Sequence, residues 1–222
     1  MPGFEALTST VLAKLIEHTL LKPETTATQI GRLCREAVDY GFHAVCINPC
    51  YVSLAQKCLL GTEVKICTVI GFPLGANTAG VKVFEAREAV AQGADELDLV
   101  LSIGALKSGD DETVAAEIKS VVAAVPVPVK VILETALLTK DEKVKGCILA
   151  QNSGASYVKT STGFSPGGAA VDDVALMRAT LGNKMGIKAA GGIRSAEFAR
   201  QLIAAGASRL GTSAGVAIIS EL

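Results

Sequence analysis

Eight short, β-branched apolar runs recur through the 222-residue chain, and most are followed by a longer amphipathic stretch. The runs are Leu15–Leu20, Ala44–Ile47, Lys65–Ile70, Glu96–Leu101, Val129–Glu134, Tyr157–Thr160, Gly186–Ala189 and Arg209–Gly211. Several are apolar on both faces, as in VKICTVI and VKVIL, which is the pattern of strands in a helix-covered parallel sheet. The stretches between them carry a helical period. Ile30, Leu33, Cys34, Ala37 and Val38 form one stripe; Ala79, Val83, Ala86 and Val90 form another. Val114, Ile118, Val121, Val122 and Val125 form a third. Thr139 to Glu142 has the spacing of a capping box, and Ser195 suits an N-cap before Ala196–Ala205.

A weak internal repeat ties these segments together. Gly93-Ala94-Asp95, Gly154-Ala155-Ser156 and Gly206-Ala207-Ser208 each close a helix and lead straight into a strand, and Gly41-Phe42-His43 is a degenerate copy. Helix, glycine, turn, strand is half of a βα unit. Eight such units predict an α/β chain with one (β/α)8 domain over residues 1–222, the TIM-barrel architecture. A doubly wound open sheet is the alternative. No linker or low-complexity tract interrupts the pattern.

The repeat also sets a register. Asp98 and Lys159 each stand five residues after a helix-closing glycine, Gly93 and Gly154. Side chains alternate along a strand, and barrel layers draw on alternate strands. Asp98 on the fourth strand and Lys159 on the sixth are therefore expected in one interior layer.

Charged residues inside a barrel need a reason. Lys65 and Lys130 open their strands and are expected at the N-terminal rim, snorkelling to water. Lys159 and Lys188 end the sixth and seventh strands, at the face where barrel active sites form. These strands are neighbours, about 4.8 Å apart. Like charge and desolvation both lower a lysine pKa, and a neutral amine is what Schiff-base chemistry requires. The pair reads as a nucleophile with a partner that tunes it; the plainer reading is a buried network with Asp98 or Glu134. Asp98, between Leu97 and Leu99, suits proton transfer. Glu134 is a weaker candidate for orienting the lysines.

Two glycine-rich loops point to an anion. Gly191-Gly192-Ile193-Arg194 follows the seventh strand, and Gly211-Thr212-Ser213-Ala214-Gly215 follows the eighth. Loops at these positions commonly cradle phosphate. Thr212 and Ser213 offer hydroxyls, and Arg194 is either a phosphate contact or a surface residue. Cys46 lacks a nearby basic partner and reads as a small residue lining the pocket. His18 reads as structural.

Composition excludes other classes. The net charge is -1, aromatics are 4% and Trp is absent, so neither a nucleic-acid surface nor a stacking platform is expected. None of the six cysteines has C-x-x-C spacing and there are two histidines, so no metal site and no cofactor are expected. Met1–Thr10 lacks a secretory pattern, and no apolar run is long enough to span a membrane. Reduced thiols and a cytoplasmic protein are the expectation.

The motifs now carry a resemblance. IEHTLLKP (Ile16–Pro23), VCINP (Val45–Pro49), ELDLVLSIGALKSG (Glu96–Gly109), YVKTSTGF (Tyr157–Phe164), IKAAGGIR (Ile187–Arg194) and GTSAG (Gly211–Gly215) resemble the deoxyribose-phosphate aldolase family, in order and over nearly the whole chain. The resemblance implies a cofactor-free class I aldolase that reversibly cleaves 2-deoxy-D-ribose 5-phosphate to D-glyceraldehyde 3-phosphate and acetaldehyde. It implies Lys159 as the Schiff-base lysine, Lys188 as its tuning partner and Asp98 as the proton-transfer group. It implies phosphate or substrate contacts at Gly191, Gly192, Ile193, Arg194, Gly211 and Ser213, with Thr160 and Gly163 in the same motif as Lys159. Three positions depart from the family pattern. Glu17 stands where Asp is common, Ala214 where a second serine is frequent, and Phe164 where some members carry a lysine. The chain also ends at Leu222, so the tail that closes over substrate in some members is expected to be missing. A dimer or tetramer is a possible assembly, though no diagnostic patch marks it. The rival readings are a non-covalent sugar-phosphate isomerase or synthase, and a sugar-phosphate sensor without catalysis.

Overall fold

The computed structural model describes residues 8–222; the N-terminal reading of Met1–Thr10 therefore falls largely outside the described residues. Eight parallel strands close a barrel in chain order: β1 (Ile16–Leu20), β2 (Ala44–Ile47), β3 (Lys65–Ile70), β4 (Glu96–Val100), β5 (Val129–Ile132), β6 (Tyr157–Lys159), β7 (Gly186–Ala190) and β8 (Arg209–Thr212). The helices are α1 (Ser9–Ala13), α2 (Ala27–Asp39), α3 (Val52–Leu59), α4 (Ala79–Ala91), α5 (Ile103–Lys107), α6 (Asp111–Ala124), α7 (Lys140–Asn152), α8 (Val171–Leu181), α9 (Ala196–Ala204) and α10 (Gly215–Ser220). The predicted barrel is thus present, and the open sheet is not. The expected caps also form: Thr139 and Glu142 make a capping box on α7, and Ser195 accepts from the Phe198 N–H on α9.

Strand alternation splits the apolar core from the barrel interior. Outward residues such as Val45, Leu97, Leu99, Val131, Val158, Ile187 and Leu210 pack under the helices in one large cluster. The inward set is different. Asp98 pairs with Lys130, Lys130 with Tyr157, and Lys159 with Lys188. Combined with strand tilt, this register stacks the inward side chains in layers of four. The lowest holds Ala44, Glu96, Tyr157 and Arg209. The middle one holds Glu17, Cys67, Lys130 and Lys188. The upper one holds Cys46, Asp98, Lys159 and Gly211. Asp98 and Lys159 share a layer as the repeat predicts. Barrel interiors are ordinarily filled by branched aliphatic residues. This one is filled with paired charge.

Two expectations fail here. Lys130 does not snorkel to the rim; it is fully buried, because its register opposite Asp98 sets it in the middle layer. Lys65 does reach solvent, beside Asp95. The stripe assigned to α4 is also incomplete. Lys82 is buried on that helix, donating to Gly75 O at 2.8 Å, to Val100 O at 2.9 Å and to Glu117 at 2.8 Å. Burial pulls the Lys82 pKa down and pushes that of Glu117 up, against their attraction. The pair pins the loop after β3 to the end of β4.

The lowest layer gives a pH test. Burial opposes the Glu96 carboxylate, but His43 and Lys130 outweigh it and bring its pKa down from 4.5 to about 2. A carboxylate depressed by folding stabilises the native state above its unfolded pKa, and that contribution is lost as pH falls through the folded value. Thermal melts should show the Glu96→Gln variant less stable than wild type at pH 7, with the gap narrowing from pH 4.5 towards 2. A constant gap would contradict this account.

Candidate active site

The upper layers converge on one carboxylate. Asp98 is fully buried and accepts from Lys130 at 3.1 Å, Lys159 at 2.8 Å and Lys188 at 2.6 Å. Cys67 also donates to it, at 3.2 Å. Burial works against the Asp98 anion, yet the ammonium groups of Lys130, Lys159 and Lys188 outweigh it and hold its pKa well below the carboxylate range. Burial likewise opposes charge on Lys130 and Lys188. The Asp98 anion leads the set that overrides it, with Glu17 also acting on both, and their pKa values stand well above that of free lysine.

The three lysines are not equivalent. Lys130 contacts Glu17, Glu96 and Asp98. Lys188 contacts Glu17 and Asp98. Among the described carboxylates Lys159 contacts Asp98 alone, and of the three lysines it is the one that lines the cavity at the top of the barrel. That cavity, about 290 Å³, opens at the C-terminal end of the strands. Its wall includes Thr19 and Leu20 from β1, Thr162, Gly163 and Phe164 after β6, Gly191 to Arg194 after β7, Gly211 and Thr212 on β8, and Ser213 just after it. Most of the expected substrate contacts therefore surround one space, with Lys159 at its base.

The loops forming this wall are tied to one another. The Thr212 hydroxyl donates to Ile193 O at 2.7 Å, and the Ala169 N–H donates to Gly191 O at 2.9 Å. Gly191 has φ 95°, and a Cβ there would stand 3.0 Å from Gly168 Cα. The Gly163, Gly192 and Ser213 N–H groups meet no protein acceptor among the described residues. Unpaired N–H groups around a cavity are donors available to an anion. Phe164, 48% exposed, meets Phe72 edge-on with ring centroids 5.2 Å apart.

Several sequence assignments need correction. Thr160 is fully buried; its hydroxyl donates to Ala190 O and accepts from Ala190 N–H, so it clips β6 to β7 rather than facing the cavity. Cys46 does not reach the cavity wall; it lies beside Asp98, at 3.9 Å. Thr212 commits its hydroxyl to Ile193, which leaves Ser213 as the free one. Glu134 contacts Thr162 and none of the interior lysines. His18 is held by Glu36 at 2.8 Å and against Phe42, consistent with a structural role.

Sequence reasoning missed Lys130, Cys67 and the direct part of Glu17. The signal for Lys130 was available: it stands between Val129 and Val131, as Asp98 stands between Leu97 and Leu99. Glu17, noted only as a departure, bonds Lys188 and lies 3.5 Å from Lys130. Glu17, Cys46, Cys67 and Asp98 also bring four potential metal-ligand atoms within 4.8 Å. Ammonium groups from Lys130, Lys159 and Lys188 already bond the carboxylates of that cluster, so its negative charge is matched from within the chain.

Comparison with known proteins decides the family. Residues 11–221 match the family model described as DeoC/LacD family aldolase. The chain belongs to the DeoC/LacD aldolase family. Within it, the chain is 59% identical over 214 residues to the deoxyribose-phosphate aldolase of a Thermoanaerobacter species, covering 95% of this chain and 96% of that one. It is also 59% identical over 210 residues to the Streptococcus suis deoxyribose-phosphate aldolase, covering 94% and 96%. Among solved structures, the tetrameric deoxyribose phosphate aldolase of Aeropyrum pernix superposes with a TM-score of 0.87 at 36% identity, over 96% of this chain and 92% of that one. The closed barrel is the family's fold.

Gly211 shows how tightly the upper layers are packed. A Cβ there would stand 3.0 Å from Lys188 Cε and 3.0 Å from Ala190 Cβ. Gly211→Ala is expected to displace Lys188 and destabilise the fold by about 1–3 kcal/mol, the usual range for overpacking. Chemical denaturation measures this, and an unchanged midpoint and slope would show that the interior absorbs the methyl freely.

Proposed function

We propose that this chain cleaves 2-deoxy-D-ribose 5-phosphate reversibly through an imine at Lys159. The observation that carries the reading is the position of Lys159. It alone joins the buried ion network to the cavity, and it has the fewest carboxylate contacts of the three interior lysines. The names of the relatives support the substrate class.

In this mechanism the uncharged Lys159 amine attacks the aldehyde carbon of the open-chain sugar phosphate. Loss of water leaves a protonated imine. The bond between C2 and C3 then breaks, and its electron pair flows into the imine to give an enamine. The C3 hydroxyl loses its proton as that carbon becomes the aldehyde of glyceraldehyde 3-phosphate. Asp98 and Lys188 carry protons to and from these centres, through water where reach requires it. Protonation of the enamine and hydrolysis release acetaldehyde and restore the amine. The imine itself is the electron sink, so the steps balance without a cofactor. Gly191, Gly192, Ile193, Arg194, Gly211, Ser213 and Gly163 form the phosphate end, where unpaired N–H groups favour an anion.

A homo-oligomer in the cytoplasm is the assembly proposed with this activity. A tetrameric relative and the exposed Leu60, Leu74, Val81 and Phe84 support the first. Six unpaired cysteines support the second. No helix among the described residues is long and apolar enough to cross a membrane.

Borohydride reduction in the presence of acetaldehyde should add mass to the peptide that carries Lys159, and Lys159→Ala should lose both the adduct and turnover. A folded, substrate-binding protein with no adduct would favour the non-covalent reading. The Lys188→Leu variant should still form the adduct but turn over about 10²-fold more slowly, the lower end for loss of proton-transfer catalysis. Steady-state kinetics beside the trapping experiment separate the two roles.

A further inference from the structure

Glu134 is the single non-glycine residue among those described with a positive φ, at φ 57° and ψ 62°. That conformation is disfavoured for any residue with a Cβ. The backbone on either side is still clamped to the end of β6 and the residue after it: the Leu133 N–H donates to Lys159 O and the Thr135 N–H to Thr160 O, each at 2.9 Å. Only residue 134 turns. Its side chain does not cap the short helical turn that follows, Thr135–Leu137. Instead the carboxylate, 1% exposed, accepts from the Thr162 N–H at 3.2 Å and from the Thr162 hydroxyl. The same hydroxyl accepts from the Phe164 N–H at 3.1 Å. One carboxylate thus fixes both residues that flank Gly163. Gly163 has φ 84°, faces the cavity with Gly191, Gly192 and Ser213, and its N–H is unpaired.

We propose that Glu134 is a positioning residue for the anionic end of the substrate. It holds Thr162 and Phe164 so that the Gly163 N–H completes the cradle made by the loops after β7 and β8. This rests on the reading of that cradle as a phosphate site. A part in proton transfer fits less well, since Glu134 has no bond to Lys159, Lys188 or Asp98. The strained turn is retained because it aims the carboxylate across to the next loop.

The test uses the intact protein and two readouts. Glu134→Gly removes the anchor while placing at the positive φ a residue that adopts it freely. Titration calorimetry with inorganic phosphate should show affinity falling tenfold or more. The KM for 2-deoxyribose 5-phosphate should rise by a similar factor, with a much smaller change in kcat, the mark of lost uniform binding. Thr162→Val should reproduce the effect, and Glu134→Gln or Thr162→Ser should restore most of it. Phosphate affinity and KM within twofold of wild type in both Glu134→Gly and Thr162→Val would overturn the proposal. So would a fall in kcat with KM unchanged, which would place the carboxylate in the chemistry. If the wild-type protein binds phosphate but cleaves no sugar, the reading of the reaction fails, while phosphate affinity still decides the role of Glu134.

Discussion

Three ammonium groups share one buried carboxylate at the centre of this barrel, and the interior is arranged around that fact. Asp98 cannot be buried as an anion without partners, nor can Lys130, Lys159 or Lys188 be buried as cations. Each partner therefore constrains the others. Glu17 and Glu96 supply the remaining negative charge, so the inner layers hold three carboxylates against three lysines. Removing one member of such a set leaves an uncompensated buried charge, typically at a cost of about 3–5 kcal/mol. The large apolar cluster outside the strands supplies burial that offsets this expense.

The same network grades the lysines. Compensation falls from Lys130, through Lys188, to Lys159, and the cavity opens above the last. Deep in the barrel the charges are saturated and fixed. At the top, one amine has a single carboxylate contact and access to a small molecule. The loops around it are held by short-range ties: Glu134 to Thr162, Ala169 to Gly191, and Thr212 to Ile193. These bonds leave N–H groups of Gly163, Gly192 and Ser213 without protein partners. Donors fixed in this way would meet the proposed phosphate without first having to reorganise.

Much of this was legible along the chain. Short β-branched apolar runs located every strand to within two residues at either end, and the period-3.6 stripes marked helices between them. The five-residue offset from Gly93 and Gly154 put Asp98 and Lys159 in one layer. The two glycine-rich loops lie where the barrel rule expects an anion site. The errors share a cause. Lys130 was assigned by its place at the start of a strand, whereas barrel closure and tilt set its height. Thr160 was read as a substrate contact and Thr212 as a hydroxyl donor, whereas neighbouring carbonyls already engage both. The β5 run was extended to Glu134, whose side-chain bond to another loop supports a left-handed turn instead.

The sequence by itself determined the elements, the shared layer of Asp98 and Lys159 and the residue types available for chemistry, because these depend on spacing within single segments. Tertiary structure decided which charges meet. Lys188 bonds Glu17 across a separation of 171 residues, a contact that exists only because β8 closes the barrel against β1. The repeated βα units announce that closure but not which side chains it brings together, so the pairing of lysines with carboxylates, and the choice of Lys159 as the one that faces the cavity, follow from the folded barrel alone.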